Sequence, residues 1–108
     1  MLRIYPVSLQ MVRDVRSFAD AIQRFDGDLA RQLRRASMSV VLNLSEGSGS
    51  RGGRRRMRYE DALGSARETL AGLEAAHAAG YLGPVPEAVR GRFNHIIGTL
   101  VRLGQRAA

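Results

Sequence analysis

The sequence predicts an all-α protein that folds as an up-down-up-down antiparallel four-helix bundle. Two observations predict this fold. Apolar residues recur every three or four positions in four segments, and short breaks containing glycine, proline or aspartate separate these segments. No segment alternates apolar and polar residues with a period of two, so no strand is expected. Because short connections place consecutive helices antiparallel, the whole chain, residues 1–108, is expected to form one domain around one core.

The first two helices are predicted on either side of an aspartate-rich break. The first spans about residues 8–25 and the second spans about 28–47. Asp26 or Asp28 in the break can cap the second helix, because a carboxylate accepts hydrogen bonds from the free N–H groups of the first turn. The core-facing stripes are Met11, Val15, Phe18, Ala19, Ile22 and Phe25 in the first helix, and Leu29, Leu33, Ala36, Val40 and Leu44 in the second.

The third and fourth helices follow a glycine-rich connection at residues 47–53. The third is predicted over about 54–79, where Gly80 is placed to end it. Two prolines mark the next connection, and the fourth helix is predicted over about 85–104. The core-facing stripes are Tyr59, Ala62, Leu63, Ala66, Leu70, Leu73 and His77 in the third helix, and Val85, Val89, Phe93, Ile96, Ile97, Leu100 and Leu103 in the fourth.

The second helix is apolar on a second side as well. Met38 and Leu42 point nearly opposite its core-facing stripe when the segment is drawn with about 100° per residue, and Val41 is assigned to the same outer face. A lone bundle covers only one side of each helix, so a second subunit is expected to cover this outer face. The protein is therefore expected to be a homo-oligomer. The alternative is that these three side chains are tolerated on a monomer's surface.

Composition and charge limit the kinds of partner and site that this chain can have. The formal net charge is +7, all 17 basic residues are arginine, and the isoelectric point is near 11.4, which indicates a polyanionic partner such as nucleic acid. Without cysteine the chain has no disulfide and no thiolate metal site. No run approaches the ~18 apolar residues of a membrane span, and no signal peptide is recognised, so a cytoplasmic location without membrane contact is expected.

An arginine cluster occupies the glycine-rich connection and the start of the third helix. Positive charge at a helix N-terminus opposes the helix dipole, so a functional reason is expected. We expect these arginines to bind phosphates of RNA or single-stranded DNA without base specificity, since the chain has no tryptophan and Tyr59 faces inward. The alternative is a solvated run of charge. The cluster is Arg51, Arg54, Arg55, Arg56 and Arg58, which Arg31, Arg34 and Arg35 of the second helix can extend.

Other motifs give no catalytic site. Gly47, Gly49 and Gly52 spell G-x-G-x-x-G, but they follow a helix and not a strand, so a turn is expected and not a dinucleotide site. Glu74 and His77 have the spacing of a di-iron motif that occurs once where two copies are needed, so His77 is interpreted as a core histidine and no metal is expected. The serines between residues 37 and 50 have no sequence-local histidine, so no catalytic triad is predicted. A protein without cofactor or enzyme activity is therefore predicted.

Three segments resemble a known family: RASMSVVLNLSEG at 35–47, ALGSARE at 62–68 and AAGYL at 78–82. The chain is similar to the bacterial four-helix-bundle proteins encoded in intervening sequences of 23S ribosomal RNA genes. The resemblance implies a ring-like homopentamer with no enzyme activity. A more distant relative of the same fold is the accessory protein of diversity-generating retroelements, a basic pentamer that works with a reverse transcriptase and its RNA. By analogy of fold, a reverse transcriptase is an expected partner.

The Asn-x-x-Glu-Gly step at Asn43, Glu46 and Gly47 is the most specific part of the resemblance. We expect the two polar side chains to hydrogen-bond across to the start of the third helix, and Gly47 to allow close approach or to end the second helix. The alternative is a ligand site. Two functions remain open: a basic oligomeric accessory protein that binds RNA or single-stranded DNA, and a protein-interaction scaffold that binds no nucleic acid.

Overall fold

The computed structural model describes residues 2–106 and confirms an all-α four-helix bundle. The helices are α1 (Ile4–Ile22), α2 (Gly27–Ser48), α3 (Gly52–Ala78) and α4 (Glu87–Arg106). Each helix packs against the next one in the chain, and α1 also packs against α4, so the four helices close around one core. None of the described residues lies in a strand. Helix α1 begins about one turn before the predicted start, and the other bounds differ by up to three residues.

Side-chain contacts between neighbouring helices show that these helices are antiparallel. Residues late in one helix contact residues early in the next, and the sequence separation shrinks toward each connection. Arg34 contacts Asp20, Asn43 contacts Arg58, Ser39 contacts Ser65, and Arg90 contacts Glu74. The bundle therefore has one end that holds the start of α1, the end of α2, the start of α3 and the end of α4.

The core is built from the predicted stripes of all four helices. Burial of each large aliphatic or aromatic side chain stabilises the fold by roughly 1.5 to 3 kcal/mol before the entropy cost of ordering it. The largest fully buried apolar side chains are Phe93, Met11, Ile22, Leu33, Leu44, Leu73, Ile96 and Leu100.

Local signals end the helices as the sequence predicts. The Asp26 carboxylate accepts a hydrogen bond from the Leu29 N–H at 2.9 Å and caps α2. Gly80 follows α3 with a φ of +83°, a left-handed conformation that favours glycine. The Gly80 N–H donates to the His77 carbonyl at 3.0 Å, and the Tyr81 N–H donates to the Ala76 carbonyl at 2.9 Å. The turn therefore satisfies these two carbonyls at the end of α3.

Two residues of the predicted stripes lie outside the core. Phe25 is 48% exposed, because α1 ends at Ile22 and the following turn removes Phe25 from the helical phase. Its ring stacks on Tyr81 with centroids 5.3 Å apart. His77 is also exposed, because the buried side of α3 passes through Leu73 and the adjacent Ala76. The interpretation of His77 as a core residue is therefore wrong.

Among residues 2–106, no helix is both long enough and apolar enough to cross a membrane.

Candidate nucleic-acid interface and association surface

The antiparallel packing gathers arginines from several segments at one end of the bundle. The start of α3 lies beside the end of α4, since one groove is lined by both Arg56 and Gly104. The start of α1 lies at the same end, because α1 runs antiparallel to its neighbour α2. Between residues 2 and 106, Glu46, Glu60 and Asp61 are the acids that accompany these arginines. We call this the basic end; its arginines are Arg3, Arg51, Arg54, Arg55, Arg56, Arg58, Arg102 and Arg106.

Sequence reasoning missed three of these arginines. Arg3, Arg102 and Arg106 are far from the cluster along the chain, and the bundle topology places them at the same end. The predicted up-down-up-down order was the signal that could have found them, because it places the start of α1 and the last turn of α4 at the same end of the bundle as the start of α3.

Arginines of the cluster differ in how far acids neutralise them. Arg56 pairs with Glu60 at 3.0 Å, and Arg58 pairs with Glu46 at 3.0 Å. The Arg55 Nε donates to the carbonyl of Gly47 near the end of α2 at 3.2 Å. This bond places a cation at the negative end of the α2 dipole, which is favourable.

Two arginines of the cluster have neither an acid nor a backbone carbonyl as a side-chain partner among residues 2–106. Arg51 and Arg54 are exposed, and neither makes an ion pair with any residue in the described range 2–106. Both flank Gly52 and Gly53, where α3 begins with a φ of +56° at Gly52. Their guanidinium groups are therefore available to an anion.

The structure does not bring the arginines of α2 together with the cluster. Arg31 pairs with Asp28 at 3.1 Å, and Arg34 pairs with Asp20 of α1 at 2.9 Å, toward the opposite end of the bundle. Arg35 is exposed on the outer face of α2 and lines a groove with Ser65 of α3. The extension of the cluster along α2 stays a prediction, and Arg31 and Arg34 already have acidic partners near the opposite end.

The opposite end of the bundle carries five of the ten acids in the chain. Asp26 and Asp28 begin α2, Glu87 begins α4, and Asp20 and Glu74 lie in the last turns of α1 and α3. The net charge of +7 is therefore distributed unevenly along the long axis, and the positive potential is greatest at the basic end.

The Asn43, Glu46 and Gly47 step joins α2 to the start of α3. Arg58 donates to the Asn43 Oδ1 at 3.4 Å and to the Glu46 carboxylate at 3.0 Å. The Asn43 amide also donates to the backbone carbonyl and hydroxyl of Ser39, both at 3.0 Å. All these partners belong to the same chain, which is the arrangement of a structural link between two helices.

Gly47 is buried where α2 crosses α3. A Cβ at this position would lie 2.5 Å from the Cε1 atom of the Tyr59 ring, which is too close for two non-bonded carbon atoms. Gly47 therefore permits the close approach of the two helices, and the nearby Gly49 forms the C-terminal cap of α2.

The serines of α2 and the following turn have structural partners. The Ser37 hydroxyl donates to the Arg34 carbonyl at 3.0 Å, and the Ser50 hydroxyl donates to the Glu46 carbonyl at 2.7 Å. Ser65 of α3 donates to the Ser39 hydroxyl at 2.9 Å. These hydroxyls are engaged with helix backbone and with each other, which is not the arrangement of a serine nucleophile beside its base.

An apolar surface lies on the outer side of α2. Met38 is 48% exposed and Leu42 is 56% exposed, four residues apart on the same face. We call this pair the α2 ridge. Val41 is 6% exposed, because it lies on the side of α2 that also carries buried Ser37 and Leu44. The assignment of Val41 to the outer face is therefore wrong.

Comparison with known proteins identifies the family. The family model described as 23S rRNA-intervening sequence protein matches residues 1–100. The chain belongs to this family. The match spans the α2 ridge and the arginine cluster, and it confirms the resemblance at the level of the family. No curated protein and no solved structure matched the chain.

Proposed function

We propose that this family member is a self-associating, non-enzymatic accessory protein that binds RNA or single-stranded DNA through phosphate groups. The observation that carries the proposal is the collection of eight arginines at the basic end, where three acids, Glu46, Glu60 and Asp61, accompany them. A guanidinium offers paired donors that match a phosphate, and its charge persists at every physiological pH.

The binding site is expected to centre on the arginines that acids leave free. Arg51 and Arg54 have no ion-pair partner within residues 2–106, and neither have Arg3, Arg55, Arg102 and Arg106 at the same end. Arg56 and Arg58 contribute less, because each already pairs with a glutamate. A phosphate chain crossing the basic end would meet several unpaired guanidinium groups without a competing carboxylate.

Binding is expected to be independent of base sequence. Sequence-specific recognition of single strands uses exposed aromatic rings on which bases stack. At the basic end Tyr59 is buried and Tyr5 packs against the core. The stacked pair of Phe25 and Tyr81 lies at the opposite end of the bundle. Phosphate contacts therefore dominate the proposed interaction.

Self-association is the second part of the proposal, and the α2 ridge supports it. Met38 and Leu42 would leave water if another copy packed against them. We propose a ring-like homopentamer, which rests on the family resemblance. Light scattering after size exclusion should report about five chains of 11.8 kDa. A monomer at micromolar concentration would contradict this part of the proposal.

A salt titration with two matched variants tests phosphate binding. The first variant replaces Arg51, Arg54 and Arg106 by serine at the basic end. The control replaces Arg13, Arg16 and Arg67 by serine, which removes the same charge from exposed positions nearer the middle of the bundle. The first variant should flatten the slope of log K against log salt by about 2, because each lost phosphate contact contributes roughly 0.7 for single strands.

The control variant should change this slope far less. Equal slopes in the two variants would show that net charge, and not the basic end, determines binding. The absence of binding by the parent protein at ~50 mM salt, where electrostatic binding is strong, would contradict the proposal altogether.

A protein-interaction scaffold is the alternative function. Two observations favour it: the α2 ridge is exposed, and Arg31, Arg34, Arg56 and Arg58 are already ion-paired. An oligomeric protein that fails to bind nucleic acid in the titration would support this alternative.

The reverse transcriptase remains a proposal by analogy of fold alone. The gene neighbourhood tests it. A reverse transcriptase gene beside this one would support that partner, and a position inside a ribosomal RNA gene would oppose it.

A further inference from the structure

A shallow groove of about 520 Å³ runs between α1 and α4, the first and last helices of the bundle. Pro6 and Val7 line it from α1, and Ala88, Gly91 and His95 line it from α4. A Cβ at Gly91 would meet no heavy atom within 4 Å, so the groove is open at this point. The groove is therefore wide enough at Gly91 to admit a side chain from outside.

Two polar side chains at the edge of the groove, Arg92 and Gln10, have partners within the chain. Arg92 pairs with Asp14 at 2.7 Å, and Gln10 also donates to Asp14 at 3.2 Å. An apolar side chain can therefore enter the groove without leaving one of these charges unpaired.

We infer that the α2 ridge of one copy docks into the α1–α4 groove of another copy. The inference rests on the proposed self-association and specifies its second surface. The ridge presents Met38 and Leu42 four residues apart, and the groove presents Gly91 and His95 four residues apart. Met38 and Leu42 of one copy can therefore contact the positions of Gly91 and His95 on α4 of the other copy, because both pairs have the same spacing.

Charge fixes the direction of docking. Arg35 precedes Met38 by about one turn of α2, and Glu87 precedes Gly91 by about one turn of α4. Arg35 and Glu87 are both exposed, and neither forms an ion pair with any residue from 2 to 106. When α2 and the neighbouring α4 run parallel, Arg35 faces Glu87 and Met38 lies over Gly91.

The opposite direction of docking lacks this complementarity. It would turn Arg35 toward His95 and bring Glu46 toward Glu87, and Glu46 is already paired with Arg58. Two nearby carboxylates repel each other, so the parallel arrangement is favoured.

Parallel docking has a consequence for nucleic-acid binding. The ridge and the groove are different surfaces, so each copy binds two neighbours in a head-to-tail manner. Within one chain α2 and α4 run in the same direction, so parallel contact between copies aligns all the bundles. Every basic end then lies on one side of the assembly, and a polyanion can contact several copies at once.

The decisive variant is Gly91→Leu, with Gly64→Leu as its matched control. Both glycines are exposed within helices, and a Cβ at either position meets no heavy atom of its own chain within 4 Å. Both variants should fold, with melting temperatures of their monomers at or above the parent's, since leucine favours helix over glycine. Gly91→Leu fills the groove and should yield monomers by light scattering, whereas Gly64→Leu should assemble like the parent.

Mixing two variants tests that the contact is head-to-tail. Leu42→Glu disrupts the ridge and leaves the groove intact. Gly91→Leu blocks the groove and leaves the ridge intact. Each alone should be a monomer, and an equal mixture should form a complex of two chains. A monomeric mixture, or a Gly91→Leu variant that assembles like the parent, would overturn the inference and leave the self-association proposal standing. A monomeric parent would overturn both.

Discussion

Gly47 packs so closely against Tyr59 that one added methyl group tests the α2–α3 contact. In Gly47→Ala the new Cβ would lie 2.5 Å from the ring, and the ring is only 4% exposed. The two atoms must separate by about 1 Å to reach ordinary contact. Overpacking of a buried site costs roughly 1 to 3 kcal/mol, and the better helix propensity of alanine returns about 1 kcal/mol or less. We expect a net loss of about 1 to 2 kcal/mol in the free energy of unfolding.

The same substitution at an open position serves as the control. Gly64 lies in the middle of α3 with no heavy atom within 4 Å of an added Cβ. Gly64→Ala should therefore raise the free energy of unfolding by about 0.5 to 1 kcal/mol, through helix propensity alone. Each variant adds one methyl group to the parent protein, and the two should shift the free energy of unfolding in opposite directions.

Thermal melts followed by circular dichroism measure this difference at one fixed protein concentration, because assembly makes the melting temperature concentration-dependent. A shift of roughly 4 to 8 °C per kcal/mol predicts a Tm lower by about 5 to 15 °C for Gly47→Ala. In a Tyr59→Leu background the penalty at Gly47 should shrink, since the ring is gone. A Gly47→Ala variant that melts at or above the parent would refute the close approach.

Three further substitutions test local links of the fold by urea unfolding. Asn43→Ala should lower the free energy of unfolding by about 1 kcal/mol, since Arg58 and Ser39 lose a partner; a variant of parental stability that loses a ligand would point to a binding site instead. Asp26→Ala removes the cap on Leu29 and should cost about 0.5 to 2 kcal/mol, and an unchanged midpoint would exclude the cap. Gly80→Ala forces a side chain into the left-handed region and should cost about 1 to 2 kcal/mol; equal stability would mean that the turn relaxes.

Much of the fold follows from local patterns. The three- and four-residue spacing placed Met11, Val15, Leu33 and Phe93 in the core, and all four are buried. Such patterns succeed because the side of a helix on which a residue lies depends only on its position along that helix. They fail where a helix ends early: Phe25 kept the spacing of its stripe, but the chain had already left α1.

The outer face of α2 was resolved only in part from the sequence. Leu42 is exposed as predicted and its neighbour Val41 is buried, although both are apolar. The difference depends on where α1 and α3 cover α2. A pattern along one helix contains no information about the width of the neighbouring helices or the angle at which they pack.

The sequence by itself determined the four helices, their order and the position of the arginine cluster in the chain. Only the tertiary structure decided which arginines keep their charge free. Arg58 is neutralised by Glu46 from the preceding helix, whereas Arg51 and Arg54 meet no acid within residues 2–106. It also brought Arg106 to the same end. Helix formation depends on neighbours within about four residues, but an ion pair depends on distances that the packing of separate helices sets.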